Sequence, residues 1–229
     1  DGHLDPHLIS QLEQKFEKTL FTRVDADIVE NLIKNEDLAE SPLSPEETLD
    51  LTEVFSSQAD QNFLVQIANL NANEAPIMIT QSEYMRRMKD MAQMNPGMSF
   101  YNQMPNNYNL VVNANHPLIA KINEDKNAKT KEALDKINND LKPMQEERKK
   151  LDDAKKDKKE DEIPVTDKEA LESVTKQIAD LESKKKQALD EYAKGNQTVK
   201  QLIDLALISN NMLKGEALES FVKRSVEML

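Results

Sequence analysis

Residues 108–119, Tyr-Asn-Leu-Val-Val-Asn-Ala-Asn-His-Pro-Leu-Ile, decide the fold of this chain. Tyr108 to Asn113 predicts a β-strand. Asn115-His116-Pro117 predicts the start of a helix directly after it, because proline is tolerated in the first turn of a helix, where its missing N–H is not needed. His116 is expected to cap or to pack at this helix start. The stretch therefore places a strand and a helix next to each other in the sequence.

Two more predicted strands come before this one. Phe63, Val65 and Ile67 alternate with their neighbours, which is the pattern of a short strand. Residues 71–74, Asn-Ala-Asn-Glu, predict a turn, and residues 75–80 predict a second strand. Three short strands make one small sheet, which needs helices on a face to be stable.

Helices are predicted on the N-terminal side of the sheet. Residues 4–34 are expected to form a helix, an extended segment and a second helix, in this order: Leu8 to Phe16, Thr19 to Val24 and Ala26 to Lys34. Ser44, Pro45 and Glu47 match a capping box with proline at the first helical position. This pattern predicts another helix, which ends near Ser57.

Residues 121–194 are a charged segment with an apolar repeat. They contain 19 basic and 20 acidic residues. Apolar residues nevertheless recur at the steps of three, four and seven that mark the a and d positions of a coiled coil. In the first arm they are Leu134, Ile137, Leu141, Met144 and Leu151, and in the second arm Leu171, Val174, Ile178, Leu181, Ala188 and Tyr192.

The two arms are separated by the polar stretch from Lys155 to Asp167, which contains Pro164. We therefore predict two helices folded back as an antiparallel coiled-coil hairpin. The alternative is an interaction tail without fixed structure. Pro143 is expected to kink or split the first helix near Leu141, because proline removes one backbone hydrogen bond and clashes with the preceding turn.

The chain closes with two predicted helices. Gln197 to Asn211 is apolar nearly all round, so both of its sides must be buried. Glu216 to Met228 carries a narrower apolar stripe, and Asn210, Asn211 and Gly215 mark the turn between the helices. A small sheet cannot cover this surface, whereas a two-fold interface with a second copy would, as a four-helix bundle. Packing within one chain is the alternative.

The composition favours helices over an all-β fold. The chain has 229 residues but four glycines, and all-β sandwiches need a turn every 8–12 residues or so. The absence of cysteine excludes disulfides, thiolate metal sites and a cysteine nucleophile. No apolar run approaches the roughly 18 residues of a membrane span and no signal peptide opens the chain, so we expect a soluble cytoplasmic protein without a membrane partner. Because the chain begins at Asp1 without methionine, we expect a fragment of a longer protein.

The charge distribution argues against a nucleic-acid partner. Residues 1–80 hold 16 acidic and 4 basic residues and so account for the whole net charge of −12. Such a surface repels nucleic acid. The lysine-rich stretch from Lys149 to Lys159 is interleaved with acidic residues and lacks aromatic residues for stacking, which is typical of a solvated surface.

No pattern in the sequence predicts catalysis. His3, Asp5 and His7 lie near a chain end without a scaffold to hold them as metal ligands. No glycine-rich loop cradles phosphate, and no Ser/His/Asp arrangement has a supporting context. We therefore predict no catalytic, cofactor-binding or metal-binding residue in this chain, and no enzyme activity.

Methionine is the unusual residue of this sequence. Seven of the ten methionines lie between residues 78 and 104, namely Met78, Met85, Met88, Met91, Met94, Met98 and Met104. Four of them step by three along a predicted helix from Ser82 to Met94, and such a row covers about half of the circumference. Part of it is expected to be exposed, with Tyr84 on its flank. Methionine is flexible and polarizable and suits surfaces that bind many partners, although irregular core filling is the alternative. Pro96-Gly97 is expected to end the helix and leave a mobile loop over residues 98–107.

Several of these segments carry a family resemblance in their order. They are residues 75–80 (Ala-Pro-Ile-Met-Ile-Thr), the methionine helix, residues 113–119 (Asn-Ala-Asn-His-Pro-Leu-Ile) and residues 201–208 (Gln-Leu-Ile-Asp-Leu-Ala-Leu-Ile). This order resembles the C-terminal domain of the ninety-kilodalton heat-shock chaperone family in its bacterial HtpG form. Residues 5–34, with Phe-Thr-Arg-Val-Asp-Ala-Asp at 21–27, resemble the segment that joins the middle domain of the family to its C-terminal domain.

The resemblance implies roles for two regions. The last two helices would form the constitutive dimer, with interface residues Leu202, Leu205, Ala206, Leu218, Phe221 and Val222. The methionine helix would bind partially unfolded client proteins through Tyr84, Met85, Met88, Met91 and Met94. The ATPase site of the full-length family, with its ATP and magnesium, would lie in an N-terminal domain outside this chain.

The chain departs from the family pattern at three places. Ala114 stands where the family usually has proline, and the chain ends at Leu229 without the acidic pentapeptide that docks eukaryotic cochaperones. Residues 121–194 are expected to have no counterpart in the family.

The sequence therefore predicts an α+β, mostly helical fold: a small three-stranded sheet with helices, a long hairpin insertion and a dimeric bundle. The predicted domains are a connecting segment over 1–43, a dimerisation domain over 44–120 and 195–229, and the inserted hairpin over 121–194. The predicted function is homodimerisation and client binding within an ATP-dependent chaperone. The alternative is a structural or adaptor coiled-coil protein that acts through the hairpin.

Overall fold

A computed structural model of the chain describes residues 5–16, 19, 21, 41–81, 83–94, 97, 100–103, 108–153 and 165–228. The chain divides into two compact units, Asp1–Ala120 with Thr198–Leu229, and Lys121–Gln197. Apart from residues 19 and 21, the predicted extended segment over 19–24 and the predicted helix over 26–34 lie outside the described residues. The predicted α+β, mostly helical fold is confirmed.

The three predicted strands form one mixed sheet. They are β1 (Phe63–Ala68), β2 (Ile77–Gln81) and β3 (Tyr108–Asn113). Their order in the sheet is β1-β3-β2, with β3 parallel to β1 and antiparallel to β2. The last strand in the sequence is therefore the central strand of the sheet.

The central strand is covered on both faces. Leu110, Val111 and Val112 are all fully buried, although their side chains alternate between the two faces. Leu110 pairs with Val65 on one neighbouring strand and with Ile79 on the other, and both of these partners are buried. A short strand that is apolar on both faces belongs in the middle of a sheet with cover on each side.

The end of β3 is fixed to the turn that joins β1 and β2. Asn71 begins this turn, where its carbonyl accepts a hydrogen bond from the Glu74 N–H at 3.0 Å. The buried Asn113 side chain donates to the Asn71 carbonyl at 2.8 Å, and the Asn115 side chain donates to the Leu70 carbonyl at 2.9 Å. The Asn113 amide thus adds a second hydrogen bond to the Asn71 carbonyl, and the Asn115 amide supplies one to the Leu70 carbonyl.

The predicted capping box opens helix α2, which follows α1 (Asp5–Lys15) and runs over Pro45–Ser56. The Glu47 N–H donates to Ser44 Oγ at 3.2 Å, and the Ser44 N–H donates to Glu47 Oε2 at 2.9 Å. The helix packs against β1 and buries Leu51, Val54 and Phe55 completely. It therefore supplies one cover of the sheet.

The methionine-rich region folds as helices α3 (Glu83–Met94) and α4 (Phe100–Gln103). The expectation of a loop throughout residues 98–107 is wrong at α4, a four-residue helix that packs against α3. Residues 98, 99 and 104–107 lie outside the described part of the chain.

Two long helices, α5 (Pro117–Asp153) and α6 (Val165–Gly195), continue the chain. His116 caps α5, because the Leu118 N–H donates to its Nδ1 atom at 3.1 Å. Within the unit Lys121–Gln197, Leu141 packs with Val174 and Ile178, whereas Ile122 lies beside Tyr192. These pairings run in opposite directions along the two helices, so they form the predicted antiparallel hairpin.

Pro143 does not split the first hairpin helix. Helix α5 continues through it to Asp153, so of the predicted kink or split near Leu141 the split is wrong. Pro143 and Asn139, whose carbonyl loses its helical partner, are both exposed, so the proline lies on the solvent side of the helix. Leu141 faces the partner helix and is buried.

One end of the hairpin carries a polar network around Tyr192. Its hydroxyl lies 3.1 Å from the Ile122 carbonyl and 3.0 Å from Asp125 Oδ2, and it accepts from Asn196 Nδ2 at 2.7 Å. The pKa of Asp125 lies below its usual value, because Lys129 contacts the carboxylate through a hydrogen bond and an ion pair and the Tyr192 hydroxyl donates to it. Burial raises the pKa of Tyr192, and the Asp125 carboxylate raises it further, so this hydroxyl stays protonated and can donate.

The chain ends with α7 (Gln197–Ser209) and α8 (Glu216–Glu227). Helix α7 buries Val199, Leu202 and Ile203, whereas no residue of α8 is buried. The turn between them uses left-handed backbone at Asn211 (φ 56°) and at Gly215 (φ 60°), two of the residues predicted to mark it.

Candidate functional site

Helix α3 presents part of its methionine row to solvent. Met91 is 43% exposed, whereas Met85 and Met88 are half-buried and Ala92 is buried. The methionine row is therefore partly packed against the chain and partly exposed to solvent. Tyr84 and Met94 lie in the helix, but their side chains fall outside the described part of the structure.

A salt bridge between α1 and α3 was not foreseen. Arg87 Nη1 lies 2.9 Å from Glu13 Oε2, and Arg87 Nη2 lies 3.0 Å from Glu13 Oε1, which is a bidentate pair. Arg87 Nη2 also donates to the Phe21 carbonyl at 2.5 Å, and the Phe21 N–H donates to Glu13 Oε1 at 2.8 Å. The pair joins residues that are 74 positions apart in the sequence.

The environment of Glu13 stabilises its ionised form. The hydrogen bonds from Arg87 hold the pKa of Glu13 below its usual value, against the opposing effect of burial, and the Phe21 N–H adds to the lowering. By contrast, the neighbouring Arg86 pairs with Asp90 at 2.6 Å within α3 itself. Arg87 therefore links α3 to α1, whereas the Arg86–Asp90 pair stays within one helix.

Large apolar side chains are exposed on the elements around this salt bridge. They are Leu8 and Phe16 on the α1 side, Phe21 beside the pair, Met91 on α3 and Phe100 on α4. Helix α3 packs against both α1 and α4. Only Met91 among these residues was predicted as a binding residue, because the others belong to separate short segments.

The predicted dimer residues divide into two groups. Leu205, Leu218 and Val222 are exposed, and Phe221 is half-buried. Leu202 and Ala206 are already buried by the chain itself. Val226, which was not among the predicted interface residues, is 67% exposed one turn after Val222. The exposed large apolar side chains of α8 recur at every fourth position and form the outer apolar row: Leu218, Val222 and Val226.

The described residues contain neither a cluster of metal ligands nor a membrane-spanning helix. No group of three or more His, Asp or Glu side chains among them is placed to hold a metal ion. None of the described helices is long and apolar enough to cross a membrane.

Curated proteins named HtpG chaperone match this chain along its whole length. The relative from Bacteroides thetaiotaomicron is 46% identical over 233 residues, and relatives from Bacteroides fragilis and Porphyromonas gingivalis are each 44% identical over 233 residues. The chain is homologous to part of HtpG. Each match covers 100% of this chain but 34% of the relative, so the chain spans about a third of the length of these HtpG proteins. No family model and no solved structure matches the chain.

The HtpG matches confirm the family resemblance and correct one expectation drawn from it. They are consistent with a C-terminal fragment of HtpG. Because the matches extend over the whole chain, residues 121–194 have a counterpart in these relatives, and the expectation that the hairpin is foreign to the family is wrong for them. Ala114, the other departure within the chain, is buried directly after β3.

The Glu13–Arg87 pair predicts a pH dependence. Because the folded pKa of Glu13 is lowered, the pair stabilises the packing of α1 on α3 fully above the unfolded pKa of about 4.3. This stabilisation is lost as the pH falls through the lower, folded value. A carboxyl titration followed by NMR should place the midpoint of Glu13 below that of exposed glutamates, and Arg87→Gln should return it toward the usual value.

Arg86→Gln is the matched control for this titration, since it removes the same charge from the adjacent residue of α3. We expect it to leave the Glu13 midpoint nearly unchanged. A midpoint that moves equally in both variants would show that general charge, and not the bidentate pair, lowers the pKa.

Proposed function

We propose that this chain is the homodimerisation and client-binding part of an ATP-dependent chaperone. The observation that carries the proposal is the outer apolar row of α8, which a single chain leaves uncovered. The HtpG names of the relatives support a chaperone function. In this proposal ATP and magnesium bind to a part of the protein outside this chain, and the chain itself is not an enzyme.

The outer apolar row is the centre of the proposed dimer contact. Val222 and Val226 are 52% and 67% exposed, and Leu205 on α7 and Leu218 on α8 are also exposed. Contiguous exposed apolar residues on a soluble chain mark an interaction surface. A two-fold axis brings the same helix pair of two copies together, so each row covers the other in a four-helix bundle.

A permanent contact of this kind would have a mechanical purpose. It holds two copies together, so that domains elsewhere in the two proteins meet at a high effective concentration without a strong interface of their own. Such domains can then associate and separate during a reaction cycle. The C-terminal contact supplies the link, and the ATPase domains supply the energy.

The proposed client surface is the exposed side of α3. Methionine side chains adapt their shape to different apolar partners, which suits a protein that binds many unfolded chains. The chemical class of the ligand is a partially unfolded polypeptide that presents apolar side chains. The surrounding exposed residues Leu8, Phe16 and Phe100 extend the apolar area available to it.

The hairpin supports the alternative function, that of an adaptor. Lys121–Gln197 is a compact unit with its own apolar core, so it is suited to act as a separate module. Replacing residues 125–192 by a short Gly-Ser link separates the two proposals. We expect the shortened chain to fold and dimerise, as circular dichroism and light scattering would show. A shortened chain that fails to fold or dimerise would show that the rest of the chain needs the hairpin, and this result would favour the adaptor function.

The dimer proposal predicts the solution mass of the chain. Light scattering after size exclusion should give twice 26.1 kDa and keep this value on dilution. Val222→Asp should raise the dissociation constant of the dimer by about a hundredfold or more, because it places a charge in an apolar contact.

Ser220→Asp is the control for that variant, since Ser220 is exposed on α8 but lies away from the outer apolar row. It should change the dissociation constant by less than about threefold. A wild-type chain that stays monomeric at every concentration would contradict the dimer proposal.

The client proposal predicts that replacing Met85, Met88 and Met91 together by serine weakens client holding. Loss of apolar contact area should require about fivefold more chaperone to suppress aggregation of heat-unfolded malate dehydrogenase. Circular dichroism should show an unchanged fold. Lys89→Ser on the same helix is the control, and equal suppression by the triple variant and the wild-type chain would remove α3 from the client site.

A further inference from the structure

Helix α8 is attached to the rest of the chain without a buried apolar residue. Not one of its residues from Glu216 to Glu227 is buried, in contrast to the five buried residues of α7. Its apolar side chains at 218, 222 and 226 are exposed. Phe221 is half-buried, so apolar burial contributes to the orientation of this helix less than it does for α7.

Polar side chains that follow Phe221 by three and four positions make specific contacts with α7. Arg224 on α8 donates to the Asp204 carboxylate on α7, and its Nε atom donates to Gln201 Oε1 at 2.8 Å. Gln201 Nε2 in turn donates to Ser225 Oγ at 2.5 Å. Two successive residues of α8 are thus bound to two residues of α7 that lie one turn apart on the same face.

The Asp204 carboxylate in this cluster is almost completely removed from water. Its side chain is 3% exposed, and Lys200 Nζ lies 3.0 Å from its second oxygen as a charge contact without hydrogen-bond geometry. A buried carboxylate is costly unless cations compensate it. Arg224 is the cation that reaches Asp204 from α8, so removing it leaves the carboxylate with Lys200 on its own helix.

The turn before α8 does not pack closely at Gly215. Gly215 has no side-chain cap, and no described residue beyond its two chain neighbours places an atom within 4 Å of the position of a Cβ atom. Each residue of a helix is rotated by about 100° from the preceding one. Bonds at both Arg224 and Ser225 therefore fix the rotation of α8 about its axis, and with it the direction of the outer apolar row.

We propose that the Asp204–Arg224 ion pair, together with Gln201 and Ser225, is the positioning element that presents the outer apolar row to a second copy of the chain. This inference rests on the proposed dimer and deepens it. Arg224 is then a positioning residue, since it acts on the interface through the helix that carries the row.

The test measures the dimer dissociation constant of the full chain by analytical ultracentrifugation. Arg224→Gln should raise it at least about tenfold, because one partner of a buried ion pair is lost. Lys223→Gln removes the same charge from the adjacent, exposed position and should change it by less than about threefold. Arg224→Lys keeps the charge but not the second donor, so its dissociation constant should lie between those of the Arg224→Gln and Lys223→Gln variants.

Circular dichroism and amide hydrogen exchange of the sheet should be the same in all variants, which separates positioning from general stability. If Arg224→Gln does not fold, the double variant Asp204→Asn with Arg224→Gln provides the measurement, since it leaves no uncompensated charge. Equal dissociation constants for the Arg224→Gln and Lys223→Gln variants would overturn the inference and leave the dimer intact. A monomeric wild-type chain would overturn the proposed dimer and the inference together.

Discussion

Burial of the strand β3 on both faces is the constraint on which the sheet-containing unit depends. Its three apolar residues need cover above and below, and its backbone needs a partner strand on each side. The same unit also buries residues from segments far apart in the chain, namely residues of α2, of the first turn of α5 and of α7. The C-terminal helices therefore belong to this unit, although Lys121–Gln197 intervenes in the sequence.

Two ion pairs join elements whose apolar side chains point outward. Arg87 with Glu13 connects α3 to α1, and Arg224 with Asp204 connects α8 to α7. In both cases the helix that carries the arginine also presents exposed apolar residues. Charged contacts of this kind orient a helix and leave its apolar side chains available for contact with another molecule. The same physical arrangement thus serves the proposed client surface and the proposed dimer surface.

Features that depend on local periodicity were predictable from the sequence. The three strands, the capping box at Ser44 and the heptad positions of the hairpin each appear within a short window of residues. The salt bridge from Arg87 to Glu13 was not predictable, because no local spacing connects positions so far apart. Periodicity also shows that α7 is apolar without showing which side the chain covers itself, so Leu202 and Leu205 looked equivalent. Pro143 looked disruptive because its exposure on the solvent face of α5 is not visible in the sequence.

The exposure of Met91 has a chemical consequence. A thioether that reaches solvent is open to oxidants, which convert it to a sulfoxide with a polar oxygen. Among the α3 methionines whose side chains are described, Met91 is the one most open to this reaction, whereas Met85 and Met88 are partly shielded. Leucine at the same position would be inert but stiffer. The adaptability of this surface is therefore tied to the redox state of the medium around it, and reductive repair of the sulfoxide would restore it.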